Sequence, residues 1–261
     1  MTDRAEILAL YDREMRRDPV APAGSRVERL DRIVRLVGEE NGILWSDLSE
    51  ADAPAVVAEQ LRFFGPRPGP LEWKVFGHDR PAELEALLAR AGFVPGEPET
   101  LVVFDLRDGP PSGEMPDGVE VRRATDAIGL RDAVRAGEAA FGADGGATAS
   151  RYAKALRDLR QALLVAYADG APVAAGRLEM PPGRSFASLW GGGTDPRHRH
   201  RGLYRGLVRA RGAIARAAGY RFLTVDAEET SRPILLRLGF VPLTTTRAWT
   251  RPPSSGAGPL D

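Results

Sequence analysis

Residues 193–221 read GTDPRHRHRGLYRGLVRARGAIARAAGYR, and this stretch decides which fold the chain adopts. Eight arginines, two histidines and no acidic residue follow Asp195, although the whole chain has 36 basic and 36 acidic side chains. A run of glycines at 191–193 leads into the basic loop, and Gly202 lies where helical spacing begins. The pattern predicts a strand, an arginine-rich loop and then a helix.

The predicted helix has one apolar face. Its apolar side chains recur at spacings of four, three, four and four residues, at Leu203, Leu207, Ala210, Ile214 and Ala218. Arg205, Arg209 and Arg216 fall outside this stripe, and Gly219 ends the helix. These three arginines are therefore predicted to project away from the core.

The start of this helix has the features of an anion-binding site. A helix N-terminus carries unpaired N–H groups and a partial positive charge. Glycine at that point lets the backbone approach a pyrophosphate closely, and neighbouring arginines add charge-assisted hydrogen bonds. A solvated basic helix face is the alternative interpretation, but it explains neither the glycines nor the lack of a neutralising acid. The sequence therefore predicts a phosphate-binding loop.

The composition excludes several other classes of site. The chain of 261 residues contains no cysteine, so disulfides, cysteine-ligated zinc and a thiol nucleophile are ruled out. Its three histidines are dispersed, and we expect no bound metal. Residues 1–17 are charged from the start and no apolar run is long enough to cross a bilayer. We therefore expect a cytoplasmic protein with no signal peptide and no membrane partner.

An internal repeat divides the chain. Residues 72–95 (EWKVFGHDRPAELEALLARAGFVP) align without gaps to residues 219–242 (GYRFLTVDAEETSRPILLRLGFVP) at a constant offset of 147. Within this match Asp79 falls on Asp226. A helix followed by glycine and a strand is a common junction, but the match also covers the preceding strand, which favours duplication of a strand–helix–strand unit. The same offset carries Gly202 onto Ala55, in a segment with no glycine and no basic loop.

The repeat and the proline- and glycine-rich residues near 110 set the predicted domains. They are a first domain at 1–106, a linker at 107–117, a second domain at 118–251 and a disordered tail at 252–261. Periodicity predicts the order β-α-α-β-β-β-α-β-α-β for the second domain, with a hairpin at Asp169–Gly170, three adjacent antiparallel strands and a last strand that closes its sheet. This order predicts a mixed sheet with helices on its faces.

The six residues 199–204, Arg-His-Arg-Gly-Leu-Tyr, resemble the Arg/Gln-x-x-Gly-x-Gly/Ala signature of the GCN5-related N-acetyltransferase (GNAT) superfamily. The element order and the closing Leu-Gly-Phe at 238–240 extend the resemblance over 118–251. It implies an α/β (α+β) fold of two tandem GNAT-like domains, each a mixed, mostly antiparallel sheet flanked by helices, with a degenerate N-terminal half. A splayed parallel strand pair in the C-terminal domain would hold acetyl-CoA. Tyr204 departs from the signature, which is compatible with binding if its side chain points off the helix.

The resemblance also implies which residues contact the coenzyme. The backbone at the end of the strand before the loop would bind the pantetheine arm, through Gly191, Gly192, Gly193 and Thr194. The loop and helix start would hold the pyrophosphate, through Arg199, Arg201, Gly202, Leu203 and Tyr204. Arg205 would reach the 3′-phosphate or stay solvated, and Ser231 completes the candidates. Backbone N–H groups near 190–192 would polarise the thioester carbonyl.

The catalytic groups are harder to assign from the sequence. An alkyl amine has a pKa of about 10, so its attack near pH 7 needs a base or a water chain. Glu179 is the candidate base, because the family often places a base on the central strand before the coenzyme-binding strand. The alternative is a carboxylate paired with Arg177 or Arg184, and Asp226 and Glu228 are the reserves.

The acid of the reaction is also unassigned. Many GNAT enzymes protonate the departing CoA thiolate with a tyrosine, and Leu235 occupies that position here. The acid is then missing, or it is supplied by Tyr204, Ser231 or water.

The resemblance implies an acetyl-CoA-dependent N-acetyltransferase. It would transfer the acetyl group to a primary amine of a small molecule or peptide by direct attack in a ternary complex, without a metal. We expect a monomer or homodimer. A CoA-binding regulator without activity is the alternative that Leu235 suggests, and a nucleic-acid-binding module that uses the arginine-rich helix is another. Tandem relatives that acetylate a cysteine-linked sugar in thiol biosynthesis are a minor possibility, because this chain is short for that group.

Overall fold

The computed structural model describes residues 3–253. Most of the tail that the sequence predicts to be disordered, 254–261, lies outside the described residues. The chain divides into two compact units, which are Met1–Leu101 with Leu243–Asp261, and Val102–Pro242. We call them the first unit and the second unit.

The first unit is a mixed sheet with helices. Its helices are α1 Arg4–Tyr11, α2 Ala53–Phe64 and α3 Leu84–Arg90. Its strands are β1 Ser25–Arg29, β2 Ile33–Gly38, β3 Asn41–Ser46, β4 Leu71–Phe76 and β5 Val94–Pro95, together with most of β12 Val241–Arg251. The strand order is β1-β2-β3-β4-β12, with β5 paired to β12. Only the β3–β4 pair is parallel among the pairs of known register in this unit.

The second unit has the same character. Its helices are α4 Ala127–Phe141, α5 Ala147–Arg157, α6 Leu203–Ala217 and α7 Arg232–Arg237. Its strands are β7 Val119–Arg123, β8 Gln161–Ala168, β9 Ala171–Glu179, β10 Phe186–Thr194 and β11 Phe222–Ala227, together with most of β6 Glu99–Asp105. The order is β6-β11-β10-β9-β8-β7, with β10–β11 parallel and β7 to β10 antiparallel. The predicted α/β fold, the element order and the three adjacent antiparallel strands are confirmed.

The predicted repeat is visible in the topology. A parallel strand pair enclosing a helix and followed by a second helix occurs as β3-α2-β4-α3 and again as β10-α6-β11-α7. The residue-by-residue match before the second helix is wrong in detail. Asp79 lies in the loop after β4, whereas Asp226 lies within β11, because β4 ends earlier than the ungapped alignment requires.

The last strand is not where the sequence places it. β12 does not close the sheet of the second unit; it pairs with β4 and β5, from Thr246 opposite Phe76 to Arg251 opposite Leu71. In the second unit β6, which precedes the predicted linker, lies beside β11. β6 and β12 come after α3 and α7, which are equivalent helices of the repeat, so each strand can occupy the position of the other. The predicted domain boundaries, which are drawn by sequence repeat, therefore differ from the compact units.

Helices cover both faces of the sheet in the second unit. Leu203 and Leu207 of α6 pack with strand residues such as Leu178 and Ala187 in one buried cluster. On the other face, Ala133 of α4 belongs to a second cluster with residues of α5 and β8. The site described below lies where α6 and these strands meet.

The segment 107–117, predicted to be a linker, packs along α6. A Cβ atom at Gly206 would lie 2.6 Å from Met115 Cε, and one at Gly212 would lie 2.7 Å from Pro111 Cδ. Only glycine permits this close approach. Arg216 Nε also donates to Leu106 O at 3.0 Å. These contacts hold residues 106–115 against α6.

Candidate active site

The pairing of β10 with β11 ends early. The parallel register covers Phe186 to Ser188 on β10, opposite Phe222 to Thr224 on β11, although β10 continues to Thr194. Beyond this point β10 bulges against β9, because Trp190 lies opposite Arg177 and Gly193 lies opposite Ala175. Two residues of β10 therefore face a single residue of β9, as in a β-bulge. The bulge therefore follows shortly after the end of the parallel pairing.

The glycines of the bulge meet different requirements. Gly191 has φ +57°, a left-handed conformation that other residues rarely adopt. A Cβ atom at Gly192 would lie 2.9 Å from Arg211 Nη2 and 3.1 Å from Tyr204 Cε2. At Gly193 it would lie 2.5 Å from the Phe141 ring. The last two glycines are therefore needed for packing, in addition to any contact they make with a ligand.

The basic loop begins with one neutralised arginine. The carboxylate of buried Asp195 accepts from the Arg197 backbone N at 2.9 Å and from Arg197 Nη2 at 2.8 Å. These hydrogen bonds lower the pKa of Asp195 to about 2. Arg197 is therefore bound to the acid that precedes the arginine-rich stretch, and it is unsuited to holding a phosphate.

The next arginines of the loop differ in their partners. Arg199 donates through Nε to Thr194 O at 3.3 Å and through Nη2 to Ala140 O at 3.1 Å, so it ties the loop to β10 and α4. Arg201 Nη1 lies 3.2 Å from His198 Nδ1. The Thr194 hydroxyl is buried and has no hydrogen-bond partner in the structure. A buried hydroxyl of this kind is costly unless a ligand or water satisfies it.

The loop ends at the start of α6. Gly202 is the N-cap residue, with φ +90° and no side-chain cap. A Cβ atom there would meet only Arg205 Nη2 at 3.5 Å and Pro116 Cγ at 3.7 Å, so the approach to the helix end is open. Arg201 and Arg205 are both exposed beside it. The backbone N–H groups of the first turn and the Arg205 guanidinium therefore lie together, with the exposed Arg201 directly before the N-cap, and this is the arrangement expected of a phosphate site.

Tyr204 points inward, not off the helix. Its ring lies against Gly192 of β10, and its hydroxyl interacts with Ser231. Burial raises the pKa of the Tyr204 phenol, while the charge of Arg211 and the Ser231 hydrogen bond act in the opposite direction. The reason is geometric, because Tyr204, Val208 and Arg211 form a row beside the predicted apolar stripe. This row faces β10 and β9.

Arg211 is the residue that the sequence analysis missed. It is only 1% exposed, in the middle of a helix whose other arginines were predicted to project outward. Its hydrogen bonds go to backbone carbonyls, from Nε to Leu207 O at 3.1 Å and from Nη1 to Arg177 O at 3.1 Å and Trp190 O at 3.4 Å. Burial lowers its pKa to about 10. The sequence contained one signal of this burial: Leu207, Val208 and Ala215 lie three or four residues from Arg211 along the helix.

A comparison with protein families assigns this region. Residues 135–240 match the family model described as the acetyltransferase (GNAT) family. The matched residues lie within the second unit. This family uses acetyl-CoA to acetylate amines, so the predicted recognition is confirmed at the level of the family. No curated protein matches the chain in sequence.

Solved structures share the fold over nearly the whole chain. A GCN5-related N-acetyltransferase from Kribbella flavida is similar with a TM-score of 0.67 and 17% identity, over 95% of this chain and 94% of that one. A conserved protein of unknown function from Staphylococcus epidermidis is similar with a TM-score of 0.64 and 14% identity, over 90% and 96%. A tandem GNAT protein from the clavulanic acid biosynthesis pathway is similar with a TM-score of 0.57 and 18% identity, over 92% and 86%. The fold is therefore that of a tandem GNAT protein.

The candidate acid and base of the GNAT domain occupy different environments. Leu235 is 0% exposed and belongs to the buried cluster under α6, so its position holds no proton donor. Ser231 is the N-cap residue of α7 but makes no side-chain cap; its hydroxyl donates to Glu228 O at 3.2 Å. Glu179 lies at the end of β9, opposite Ser188 on β10. It lies two residues along β9 from Arg177, which pairs with Trp190 at the bulge. The carboxylate of Asp158 and, more weakly, that of Glu179 raise the pKa of Arg160.

The first unit has a cavity at the corresponding strand ends. A cavity of about 860 Å3 is lined by residues that follow β3 and β4 and by the turn between β1 and β2. Its lining is more acidic than basic: Asp31, Asp47, Glu50, Asp52 and Asp79 against Arg32 and Arg80. Such a lining repels phosphates. Within residues 3–253 no group of three or more metal-ligating side chains occurs, and every helix is too short or too polar to cross a membrane.

Proposed function

We propose that the chain is an acetyl-CoA-dependent N-acetyltransferase whose second unit transfers an acetyl group directly to a primary amine in a ternary complex. The single observation that carries this proposal is the start of α6, where a glycine N-cap and the exposed Arg201 and Arg205 adjoin the end of the β10–β11 pairing. The family match supports the reaction class. The acceptor is a small molecule or peptide that carries the amine.

The residues of the site fit the coenzyme in two parts. The phosphate part would lie against the start of α6, held by Arg201, Gly202, Leu203, Tyr204 and Arg205. The pantetheine part would lie along the end of β10, at Gly191, Gly192, Gly193 and Thr194, where the Thr194 hydroxyl lacks a partner. Arg199 positions the loop, and Ser231 borders the site through Tyr204. Acetyl-CoA supplies the acetyl thioester.

Side chains of the second unit accept and donate the protons of the reaction. The amine nitrogen forms a bond to the thioester carbon while the carbon–sulfur bond breaks, and the electron pair leaves on sulfur. Glu179 accepts the amine proton, directly or through water. The Tyr204 hydroxyl, with Ser231 beside it, is the proton source for the thiolate, because Leu235 offers none.

The test is an assay of free CoA release over a panel of primary amines. We expect one class of amine to give turnover that depends on acetyl-CoA. Arg201→Ala combined with Arg205→Ala should raise the KM for acetyl-CoA at least about tenfold, since each cation contributes a charge-assisted contact. Arg237→Ala, an exposed arginine on α7 outside the site, is the matched control. The same affinity for acetyl-CoA in the double variant and the control would contradict the proposal.

A CoA-binding regulator is the second candidate, favoured by one observation. Leu235 is buried in the core, where many relatives have a catalytic tyrosine. Acetyl-CoA binding without turnover on any amine would favour this candidate. A nucleic-acid-binding role is disfavoured, because Arg197, Arg199, Arg211 and Arg216 are all engaged within the second unit.

A further inference from the structure

Arg211 is a buried cation without an anion. Within residues 3–253 no carboxylate forms an ion pair with it, and the titratable side chains that influence its pKa are the phenols of Tyr204 and Tyr152. Its guanidinium fills the space above two glycines, since a Cβ at Gly176 would lie 2.7 Å from Nη1 and one at Gly192 would lie 2.9 Å from Nη2. Both strands therefore carry glycine where the side chain crosses them.

Filling this space does not by itself require an arginine. Burying a charge that has no opposite charge beside it is unfavourable, and a hydrophobic side chain of similar volume is often as stable or more so. The carbonyls of Arg177 and Trp190 need a donor at the bulge, but a neutral donor would satisfy them. The positive charge therefore has another role.

The hydrogen bond to Trp190 fixes the direction of the next amide. The Trp190–Gly191 peptide bond is trans, so its N–H points opposite to its C=O. The carbonyl points to Arg211 Nη1, which also contacts β9 through Arg177 O. The Gly191 N–H therefore points away from Arg211 Nη1, at a place where β10 is no longer paired with β11, because the parallel register ends at Ser188.

A second side chain holds the following carbonyl. Tyr152 of α5 donates its hydroxyl to Gly191 O at 3.5 Å, and α5 packs on the sheet face opposite to α6. Two successive carbonyls of the bulge are therefore held by donors from two helices. With Gly191 at φ +57°, the peptide planes on either side of this residue have fixed orientations.

We propose that Arg211 is a positioning residue for acyl transfer: with Tyr152 it fixes the bulge so that the Gly191 N–H faces the acyl carbonyl oxygen, and its positive charge strengthens this donor. Charge at the carbonyl end of a peptide polarises its N–H, and a fixed donor stabilises negative charge that develops on the oxygen during attack. The inference rests on the proposed acetyl transfer. It adds two residues, Arg211 and Tyr152, to the site.

The test separates positioning from binding and from folding. Arg211→Met removes the charge at similar volume, Arg211→Lys keeps the charge, and Tyr152→Phe removes the second donor. Arg216→Met is the matched control, because Arg216 lies on the same helix and also donates to a carbonyl, that of Leu106. CoA affinity is measured by titration calorimetry, kcat by CoA release, and the carbonyl stretch of bound [1-13C]acetyl-CoA by infrared difference spectroscopy.

We expect Arg211→Met to lose about 10- to 100-fold in kcat, below the 10²–10³ that loss of a direct oxyanion donor costs. Its CoA affinity should stay within about threefold, since the phosphate site is unchanged, and the carbonyl stretch should return towards its value in solution. Arg211→Lys should retain more activity than Arg211→Met, and Arg216→Met should behave as wild type. A kcat of Arg211→Met within about threefold of wild type, or an unchanged carbonyl stretch, would overturn the proposal.

A ligand-free measurement separates this inference from the proposed function. If the wild-type chain neither binds nor consumes acetyl-CoA, the proposed function fails, and the backbone amides of Gly191 and Gly192 still report on the bulge. We expect their resonances to shift and their hydrogen exchange to accelerate in Arg211→Met, and in Arg211→Lys should the methionine variant not fold. If the amide resonances and the hydrogen exchange of Gly191 and Gly192 are unchanged in a folded variant, the role of Arg211 in holding the bulge is overturned.

Discussion

Several residues of the proposed site in the second unit lie in environments that periodicity does not reveal. Arg211 has the same residue type as its exposed neighbours on α6, but burial depends on which strand the helix crosses. Tyr204 departs from the family signature on the condition that its side chain points off the helix, but it points inward because β10 has a glycine opposite its ring. The sequence did predict the loop, the helix start and the absence of a proton donor at Leu235.

Glu179 gives the first prediction at this scale. Glu179→Gln removes the proposed base, so kcat/KM near pH 7 should fall about 100-fold, the lower end of the contribution of general base catalysis. The deficit should shrink at high pH, where the amine loses its proton unaided. A pH–rate profile from pH 6 to 10 measures it, with Glu138→Gln, at a half-buried position of α4, as the control. Equal profiles for wild type and Glu179→Gln would eliminate Glu179 as the base.

Asp195 gives a prediction of pH dependence. Its pKa is about 2 in the folded chain and about 3.9 when unfolded, so the folded state holds the proton less tightly. Its stabilising contribution is therefore complete above about pH 4 and is lost as the pH falls towards 2. Asp195→Asn should lower the Tm at pH 6, and its difference from wild type should shrink below pH 4. A constant difference across this range would show that the charge of Asp195 contributes nothing.

The proposed site lies where helices and strands of the second unit begin and end. The order of helices and strands in the second unit could be predicted, because periods of 2 and 3.6 residues and turn residues mark each element locally. The bulge of β10 could not, since it depends on the register against β9 and on a donor from α6. Gly202 begins α6 in a left-handed conformation, and Gly219 follows the helix end in another, at φ +90° and +86°.

These two glycines make a matched pair of substitutions. Gly202→Ala and Gly219→Ala impose similar backbone strain, about 1 kcal/mol each, and should lower the Tm by about 2–4 °C. Only Gly202→Ala should weaken CoA binding, because only that end of α6 faces the proposed phosphates. Thermal unfolding and titration calorimetry measure the two effects. Equal loss of CoA affinity in both variants would show that strain, and not the position of Gly202, controls binding.

The whole molecule is a duplicated fold with unequal halves. The repeat and its degenerate first half could be read from residues 72–95 and 219–242, but the exchange of the closing strands could not, because equivalent strands have equivalent patterns. The first unit lacks the basic loop, and its cavity is lined by more acidic than basic side chains. The two units therefore offer different chemistry at the same place in the fold.

The stoichiometry of binding follows from this difference. One CoA should bind per chain, because the phosphates are attracted to the arginines of the second unit and repelled by the acidic lining of the first. Titration calorimetry with CoA at low salt measures the number of sites directly. Two sites of comparable affinity per chain would contradict the assignment of the first unit as degenerate.

The central claim is that the start of α6 binds the pyrophosphate of a coenzyme. A titration of isotope-labelled chain with CoA, followed through the backbone amide resonances, tests it most directly. We predict that the largest shifts occur at Leu203, Tyr204 and Arg205, with smaller shifts at 191–194. Saturating shifts confined to other residues, with the first turn of α6 unmoved, would contradict the account.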